Sequence, residues 1–422
     1  LANIAKADHP SQAANALMQS CLALIPDEIE RVYLAYSGGL DSSVLLHLLV
    51  SSQQPLPVIA WHVNHGLLET ASQMEQFCVE QARHYGLEIR IDRLQLGDIE
   101  SNIEAEARQQ RYRLFASHCQ HGDCVLTAHH ADDQAETFLL NALRGSGSAG
   151  LRGIAARRKL GSGLLLRPLL EYTRQQLEDY ASHHELAWFN DPSNRDNRFD
   201  RNYLRNEVIP LIAARWPHFQ TSLTTSCRLQ TETQQILDEV AQLDYRTLAR
   251  NKQGSEPTLD LQGLLQLSSE RGKNLLRHWI SSAGLTAMPG ARLRELMNQL
   301  DAKAGALPQI AMPDYSIRLY DGRLFLVRQA VSRDCHGVYE FGLQPVIKID
   351  DCKLRLRRDE LFASLGIEDR QQRITLRFRG KGQLSADRHR LKRLFQKQRI
   401  PPWERQSTAQ VYLDDKLVGL LR

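Results

Sequence analysis

Residues 31–46, RVYLAYSGGLDSSVLL, constrain the fold more than any other stretch of this chain. An apolar run that reads as a β-strand gives way to Gly38-Gly39, then to Asp41-Ser42-Ser43 and a second apolar run that reads as a helix. A strand that ends in a glycine turn and opens a helix aims unpaired backbone N–H groups at one point, a common way of holding an anion. Gly38 and Gly39 let the main chain come close, and the hydroxyls of Ser37, Ser42 and Ser43 flank the same point. A carboxylate among phosphates, Asp41, makes sense where a divalent cation bridges them. The spacing is not that of a Walker loop, which needs a longer gap between glycines and then Gly-Lys-Ser/Thr. Ser37, Gly38, Gly39, Leu40, Asp41 and Ser42 are therefore candidates for binding nucleotide phosphates.

Strand-like and helix-like segments alternate from about residue 31 to about residue 190. PVIAWHVNHGL (57–67), LEIRIDRL (87–94), CVLTAHH (124–130) and LLLRPLL (164–170) read as strands. Helical stretches fall at Gln73–Tyr85, at Ile103–His118, over DDQAETFLLNAL and after Thr173. This order predicts βαβ units, an α/β fold with a doubly wound parallel sheet, and ligands at the carboxyl ends of the strands. The Ser37 loop, His62–His65 and His129–Asp133 all fall at that edge. From about 217 to 330 the apolar spacing turns helical, over Leu223–Leu248 and Glu270–Ala283, and RLYDGRLFLVR (318–328) reads as a hairpin with an Asp-Gly turn. The expected domains are 1–215 (catalytic), 216–330 (mainly helical) and 335–422 (a small, basic α+β domain).

HHADDQAET (129–137) sits at a strand end and opens a helix, so Asp132 and Asp133 lie in its first turn. Asp133 and Glu136, three apart, share a face. With Asp41 on a neighbouring loop, two carboxylates facing one point suit magnesium bound to a triphosphate. Asp41 and Asp133 are the candidate metal ligands, and Asp41, Asp133 and Glu136 the candidate catalytic residues. His62 and His65 lack a third His or Cys to complete a metal set.

The Ser37 loop resembles the SGGxDS loop of the N-type ATP pyrophosphatases (the PP-loop family), which cleave ATP between its α and β phosphates. HHADDQAET resembles the HHxDDQxET of the tRNA(Ile)-lysidine synthetases within that family, and RGSGSAGLRG (144–153), RPLL (167–170), NDPSN (190–194) and RNYLR (201–205) follow in that branch's order. Ala131 stands where the branch usually has a larger apolar residue. The resemblance implies a ligase that uses ATP and Mg2+ to adenylate O2 of the wobble cytidine of tRNA(Ile) with a CAU anticodon. Free L-lysine then displaces AMP at C2 to form lysidine. It also implies backbone contacts to adenine around Val63, and proton removal from lysine by Glu136 or Asp133. The same resemblance leaves open a tRNA thiolase, although no suitably paired cysteines are present, or a non-catalytic tRNA-binding protein.

Basic segments supply the candidate RNA contacts: Arg108 and Arg111 in IEAEARQQRYRLF, Arg144 and Arg152 in the glycine-rich loop, and Arg201 and Arg205 in RNYLR. Glu104 and Arg108, at i,i+4 spacing, also allow a simple salt-bridged helix. Residues 373–405 carry 11 Lys/Arg against two Asp/Glu in a chain of net charge +4, so the remainder is net acidic. A local field of that kind suits a polyanion held by its phosphates, with Lys381, Arg390, Lys392 and Arg393 as its contacts. Phe378, Phe395 and Trp403, interleaved among these charges, read as core.

At 422 residues the chain exceeds one ordinary core, and no apolar run is long enough to span a bilayer, so no membrane partner is expected. Seven cysteines without repeating spacing argue against a disulfide scaffold and for a cytoplasmic location. The chain begins with Leu and stops soon after VYLDDKLVGLL, so trimmed natural termini are expected. A homodimer is left open as an assembly.

Overall fold

The computed structural model describes residues 10–52, 56–66, 70–94, 103–190, 196–250, 256–301, 309–329, 337–342, 344–349, 354–365, 373–378 and 388–421. It divides into two compact units between Gln235 and Ile236.

In the first unit, α1 (Pro10–Ala23), β1 (Arg31–Ala35), α2 (Leu40–Ser51), β2 (Val58–Asn64), α3 (Ala71–His84) and β3 (Glu88–Arg93) are followed by α4 (Ile103–His118) and β4 (Asp123–Leu126). Then come α5 (Ala131–Leu143), α6 (Ser148–Leu151), β5 (Arg157–Leu160), β6 (Gly163–Leu166), α7 (Arg174–His183), α8 (Asp200–Tyr203), a π turn over Leu204–Val208 and α9 (Ile209–Arg215). The sheet order is β3-β2-β1-β4-β6-β5. All neighbours run parallel except β5, which returns antiparallel on β6. The strand order reverses between β1 and β4, and this is where an open α/β sheet forms its ligand crevice. Along β1 the side chains alternate, Val32 and Leu34 entering one apolar cluster and Tyr33 the other, so both faces of the sheet are covered. Helix α2 buries Leu40, Val44, Leu45, Leu46, Leu48 and Leu49, each buried leucine contributing about 1.5–3 kcal/mol.

The strand limits of LLLRPLL and CVLTAHH are corrected here: β6 stops at Leu166. CVLTAHH is not all strand: β4 stops at Leu126, which frees Thr127–His130 to turn across the sheet edge. β5 was not legible, because RRKL presents three exposed cations and one buried leucine, the composition of a guarded edge strand.

Helix α10 (Phe219–Leu248) contains the division between the units. The second unit continues with β7 (Ala249–Arg250), β8 (Thr258–Asp260), α11 (Leu261–Gln266), α12 (Ser269–Ser282), α13 (Gly290–Asp301), β9 (Gln309–Ala311), β10 (Tyr315–Tyr320) and β11 (Arg323–Arg328). Next are β12 (Gly337–Phe341), β13 (Val346–Ile349), β14 (Leu354–Arg357), α14 (Arg358–Leu365), β15 (Ile374–Phe378), α15 (Arg388–Lys397), β16 (Ala409–Leu413) and β17 (Lys416–Leu421). The Asp-Gly hairpin forms as expected, with Asp321 and Gly322 both at positive φ, the requirement of a type I′ turn. The region expected to be mainly helical also carries a five-stranded sheet, β7-β8-β11-β10-β9. Strands of two and three residues, β7 and β8, are too short to show alternation in a sequence. Among the described residues no helix is long and apolar enough to cross a membrane.

Candidate active site

The Ser37 loop joins β1 to α2 at the crevice edge. Gly38 is left-handed (φ +79°), and a Cβ there would sit 3.0 Å from Cys78 Sγ and 3.2 Å from Phe77 Cδ1, so only glycine fits both the turn and the space. Its carbonyl accepts from Phe189 N at 2.8 Å, which pins the loop from outside. The serines divide their work. Ser42 Oγ donates to Gly39 O at 2.9 Å and Ser43 Oγ to Gly38 O at 3.4 Å, bracing the turn, while Ser37 stays exposed. Leu40 is buried as the first residue of α2, whose leading N–H groups face the crevice.

Asp41, in the first turn of α2, meets the residues of the β4–α5 turn. His130 Nε2 lies 3.7 Å from Asp41 Oδ2 and 3.5 Å from Asp133 Oδ2, and its Nδ1 lies 3.5 Å from Asp132 Oδ2. Burial pulls the imidazole down, but the neighbouring carboxylates of Asp132, Asp133 and Asp41 outweigh it and raise its pKa. His130 Nε2 thus marks the point on which Asp41 and Asp133 converge. Burial raises the Asp41 carboxyl, against the opposing pull of His130 and Arg174, whose Nη1 is 3.3 Å from Oδ2. Asp133 is driven the other way: burial would raise it, yet His130 and Arg201 hold it well below the usual carboxylate range. Asp132 is tied down by Arg174 N at 2.8 Å and Gln220 Nε2 at 3.2 Å.

Glu136 is fully buried one turn along α5. Its Oε2 accepts from Arg201 Nε at 2.6 Å and its Oε1 from Arg205 Nε at 2.6 Å, while both guanidinium groups also reach Asp133 Oδ1, at 2.7 and 3.3 Å. Two sequence expectations change here. Arg201 and Arg205, expected to grip RNA, clamp Asp133 and Glu136 instead, because α8 and the π turn set them side by side over α5. Glu136 and Asp133 also fit poorly as proton acceptors, since one has both oxygens committed and the other is held strongly acidic. The i,i+4 arginine pair in RNYLR was the available signal for such a clamp; Arg174 carried none.

Among the described residues no group of three or more His, Cys, Asp or Glu side chains could hold a metal ion by itself. Magnesium usually takes only one or two carboxylates and completes its shell with waters and substrate phosphates. Asp41 and Asp133, from the first turns of α2 and α5 and both beside His130 Nε2, fit that requirement.

The remaining candidates are spread around this centre. Strand β2 outruns β1: Trp61 O accepts from Tyr36 N and Asn64 O from Leu94 N, so by strand alternation the Val63 backbone points past the end of β1 toward the crevice. Arg108 Nη2 lies 3.4 Å from His129 Nε2, and Arg108 and Arg111 both flank the Tyr112 ring. Burial lowers the His129 pKa to about 3, so that ring is neutral. The Glu104 side chain, the expected partner of Arg108, lies outside the described residues. Arg144 pairs with Asp200 at 3.1 Å, and Arg152 is exposed. Their glycine-rich loop is docked rather than loose: Gln134 bonds both the N–H and the carbonyl of Ile154, at 2.6 and 2.8 Å, and Asn141 holds Gly150 O at 2.8 Å. In the second unit α15 buries Leu391 and Phe395 and exposes Arg390, Lys392 and Arg393; Lys381 lies outside the described residues. Phe378 and Phe395 are core, as expected, and Trp403 is half-buried.

Comparison with known proteins finds family matches in both units. A PP-loop domain model matches residues 10–212, a TilS substrate binding domain model residues 259–325, and a TilS substrate C-terminal domain model residues 368–420. A tRNA(Ile)-lysidine synthase of Serratia proteamaculans is 39% identical over 92% of this chain and 89% of its own length. Those of Alkalilimnicola ehrlichii and Pectobacterium atrosepticum are 39% and 36% identical, each over 92% of this chain and over 88% and 89% of their own lengths. The phosphate loop, the HHADDQAET carboxylates and the matches in both units lead to one assignment: the chain belongs to the tRNA(Ile)-lysidine synthase family.

Proposed function

We propose that this protein joins free lysine to C2 of the wobble cytidine of tRNA(Ile) with a CAU anticodon, consuming ATP and releasing AMP and pyrophosphate. The observation that carries the reading is the convergence of Asp41 and Asp133 on His130, beside a phosphate loop at the strand-order switch. In the first step cytidine O2 attacks the α-phosphate of ATP and pyrophosphate leaves. In the second, the lysine amine attacks C2 and AMP leaves. The uncharged O2 is a poor leaving group until it carries AMP, which is why ATP is needed.

The residues divide the work as follows. The Ser37 loop and the start of α2 hold the phosphates through backbone N–H groups, with the Ser37 hydroxyl exposed to them. The Val63 backbone receives the adenine edge. Asp41 and Asp133 would hold Mg2+, which when bound neutralises the charge that builds on the α-phosphate oxygens. Arg201 and Arg205 keep Asp133 ionised and fixed in place, and Glu136 holds both arginines. The exposed cations of α15 bind the tRNA body. Domains at 1–215, 216–330 and 335–422, with the last gripping RNA, follow from this division, and a cytoplasmic location suits the substrates.

Mass analysis of tRNA(Ile) incubated with the protein, ATP, Mg2+ and labelled lysine tests the reading. Lysine should enter the RNA, with AMP formed only when tRNA is present. AMP release without lysine in the product would overturn it. Sulfur transfer would point to a thiolase.

A further inference from the structure

We infer that a phosphate-binding box is built around Tyr112, between α4, β5 and the end of β6, and that it takes a phosphodiester of single-stranded RNA beside the reacting base. Arg167, directly after β6, is 5% exposed. Its Nη1 donates to Ala155 O at 2.5 Å, it hydrogen-bonds the Tyr112 hydroxyl, and its buried Nε has no partner. Arg158, reaching across from β5, places its guanidinium carbon 4.5 Å from the Tyr112 ring centroid, and that of Arg108 is 5.3 Å away.

Among the described residues no carboxylate lies within ion-pair distance of Arg108, Arg158 or Arg167; the ion pairs nearest in sequence belong to Arg157 with Glu28 and Arg174 with Asp41. This sets the box apart from Arg201 and Arg205, which have Asp133 and Glu136. Holding a guanidinium out of water without a counter-charge is costly, so a buried Arg167 among other cations is explained by an anion that arrives with a ligand. Guanidinium groups with an adjoining aromatic face are what an unstacked nucleotide meets in single-strand RNA sites. The position is also right. Arg108 touches His129, whose chain neighbour His130 lies between Asp41 and Asp133, so a phosphate in the box belongs to a group next to the chemistry.

The inference rests on the RNA reading above, but its test needs no lysine incorporation. Arg158 is exposed on an edge strand, so Arg158→Gln should leave the fold intact, and Arg158→Lys keeps the charge. Binding of three probes is measured: an anticodon stem–loop RNA, ATP and inorganic pyrophosphate. Arg158→Gln should weaken the RNA about tenfold and lower the slope of log affinity against log salt by roughly 0.7–0.9, with ATP and pyrophosphate unaffected. Arg158→Lys should retain the slope. A methylphosphonate scan of the stem–loop should find one linkage whose neutralisation costs the wild type about as much, roughly tenfold, and costs Arg158→Gln nothing further. Loss of ATP or pyrophosphate binding with RNA binding intact would assign the box to the nucleotide and overturn the RNA assignment. No change with any probe would overturn the box itself.

Discussion

The acidic centre of the first unit and the basic face of α15 treat charge in opposite ways. Around His130 the charges are buried or half-buried and answered: Glu136 and Asp133 by two arginines, Asp132 by a backbone N–H and Gln220, Asp41 by Arg174. On α15 the apolar side, Leu391 and Phe395, is sunk into the domain, while Arg390, Lys392 and Arg393 stand in water with no ion pair among the described residues. Charge that must hold a geometry is satisfied internally, because an unanswered buried charge would distort or destabilise the site. Charge that must capture a polyanion is left unanswered, because its partner arrives from solution with counterions to release.

The largest effect that would break this contrast is expected at Glu136. Glu136→Ala removes the carboxylate that both Arg201 and Arg205 share with Asp133 and leaves a cavity in α5, and denaturant unfolding should show a loss of about 1–3 kcal/mol. A loss under 1 kcal/mol would mean that the clamp is not what holds the centre. Reversing Lys392 and Arg393 to glutamate should leave stability within about 0.5 kcal/mol of wild type. The same variant should weaken tRNA binding at least tenfold and lower its salt slope by roughly 1.5–2, read by filter binding across a salt series. Unaltered affinity would remove α15 from the interface.

Gly38→Ala sharpens the comparison on the acidic side. A left-handed alanine costs about 1–2 kcal/mol, and its methyl group meets Cys78, so ATP affinity should fall while tRNA affinity stays. The smallest effect is expected at His62, buried behind the loop with Nδ1 3.0 Å from Tyr36 O. Burial lowers its folded pKa, so the unfolded chain binds the proton first. Stability should therefore decline as pH falls below about 6.5, the unperturbed value. His62→Gln should flatten that part of the curve in thermal unfolding, whereas an unchanged curve would exclude the histidine as its source.

What could be read from the sequence followed from local chemistry. The strand–glycine–helix turn at Ser37, the limits of α4 and the Asp-Gly hairpin depend on neighbours in the chain, and all three are found. What could not be read depends on distant partners. Arg201 and Arg205 reach carboxylates 65 to 72 residues away, so their sequence spacing showed a basic pair but not its destination. Arg158 and Arg167 sit in segments that look like a cationic edge strand and the end of an apolar run, and only the fold brings them to Tyr112. β5 escaped because an edge strand guarded by cations lacks the alternation of a buried one.

The central claim is that Asp41 and Asp133, brought together from the first turns of α2 and α5, serve the chemistry and not RNA capture. The most direct measurement is AMP formation by Asp41→Asn at saturating ATP, Mg2+, lysine and tRNA(Ile), alongside tRNA affinity for the same variant. AMP formation should fall by about 10²–10³-fold or more, with tRNA affinity unchanged. AMP formed at the wild-type rate would contradict the account.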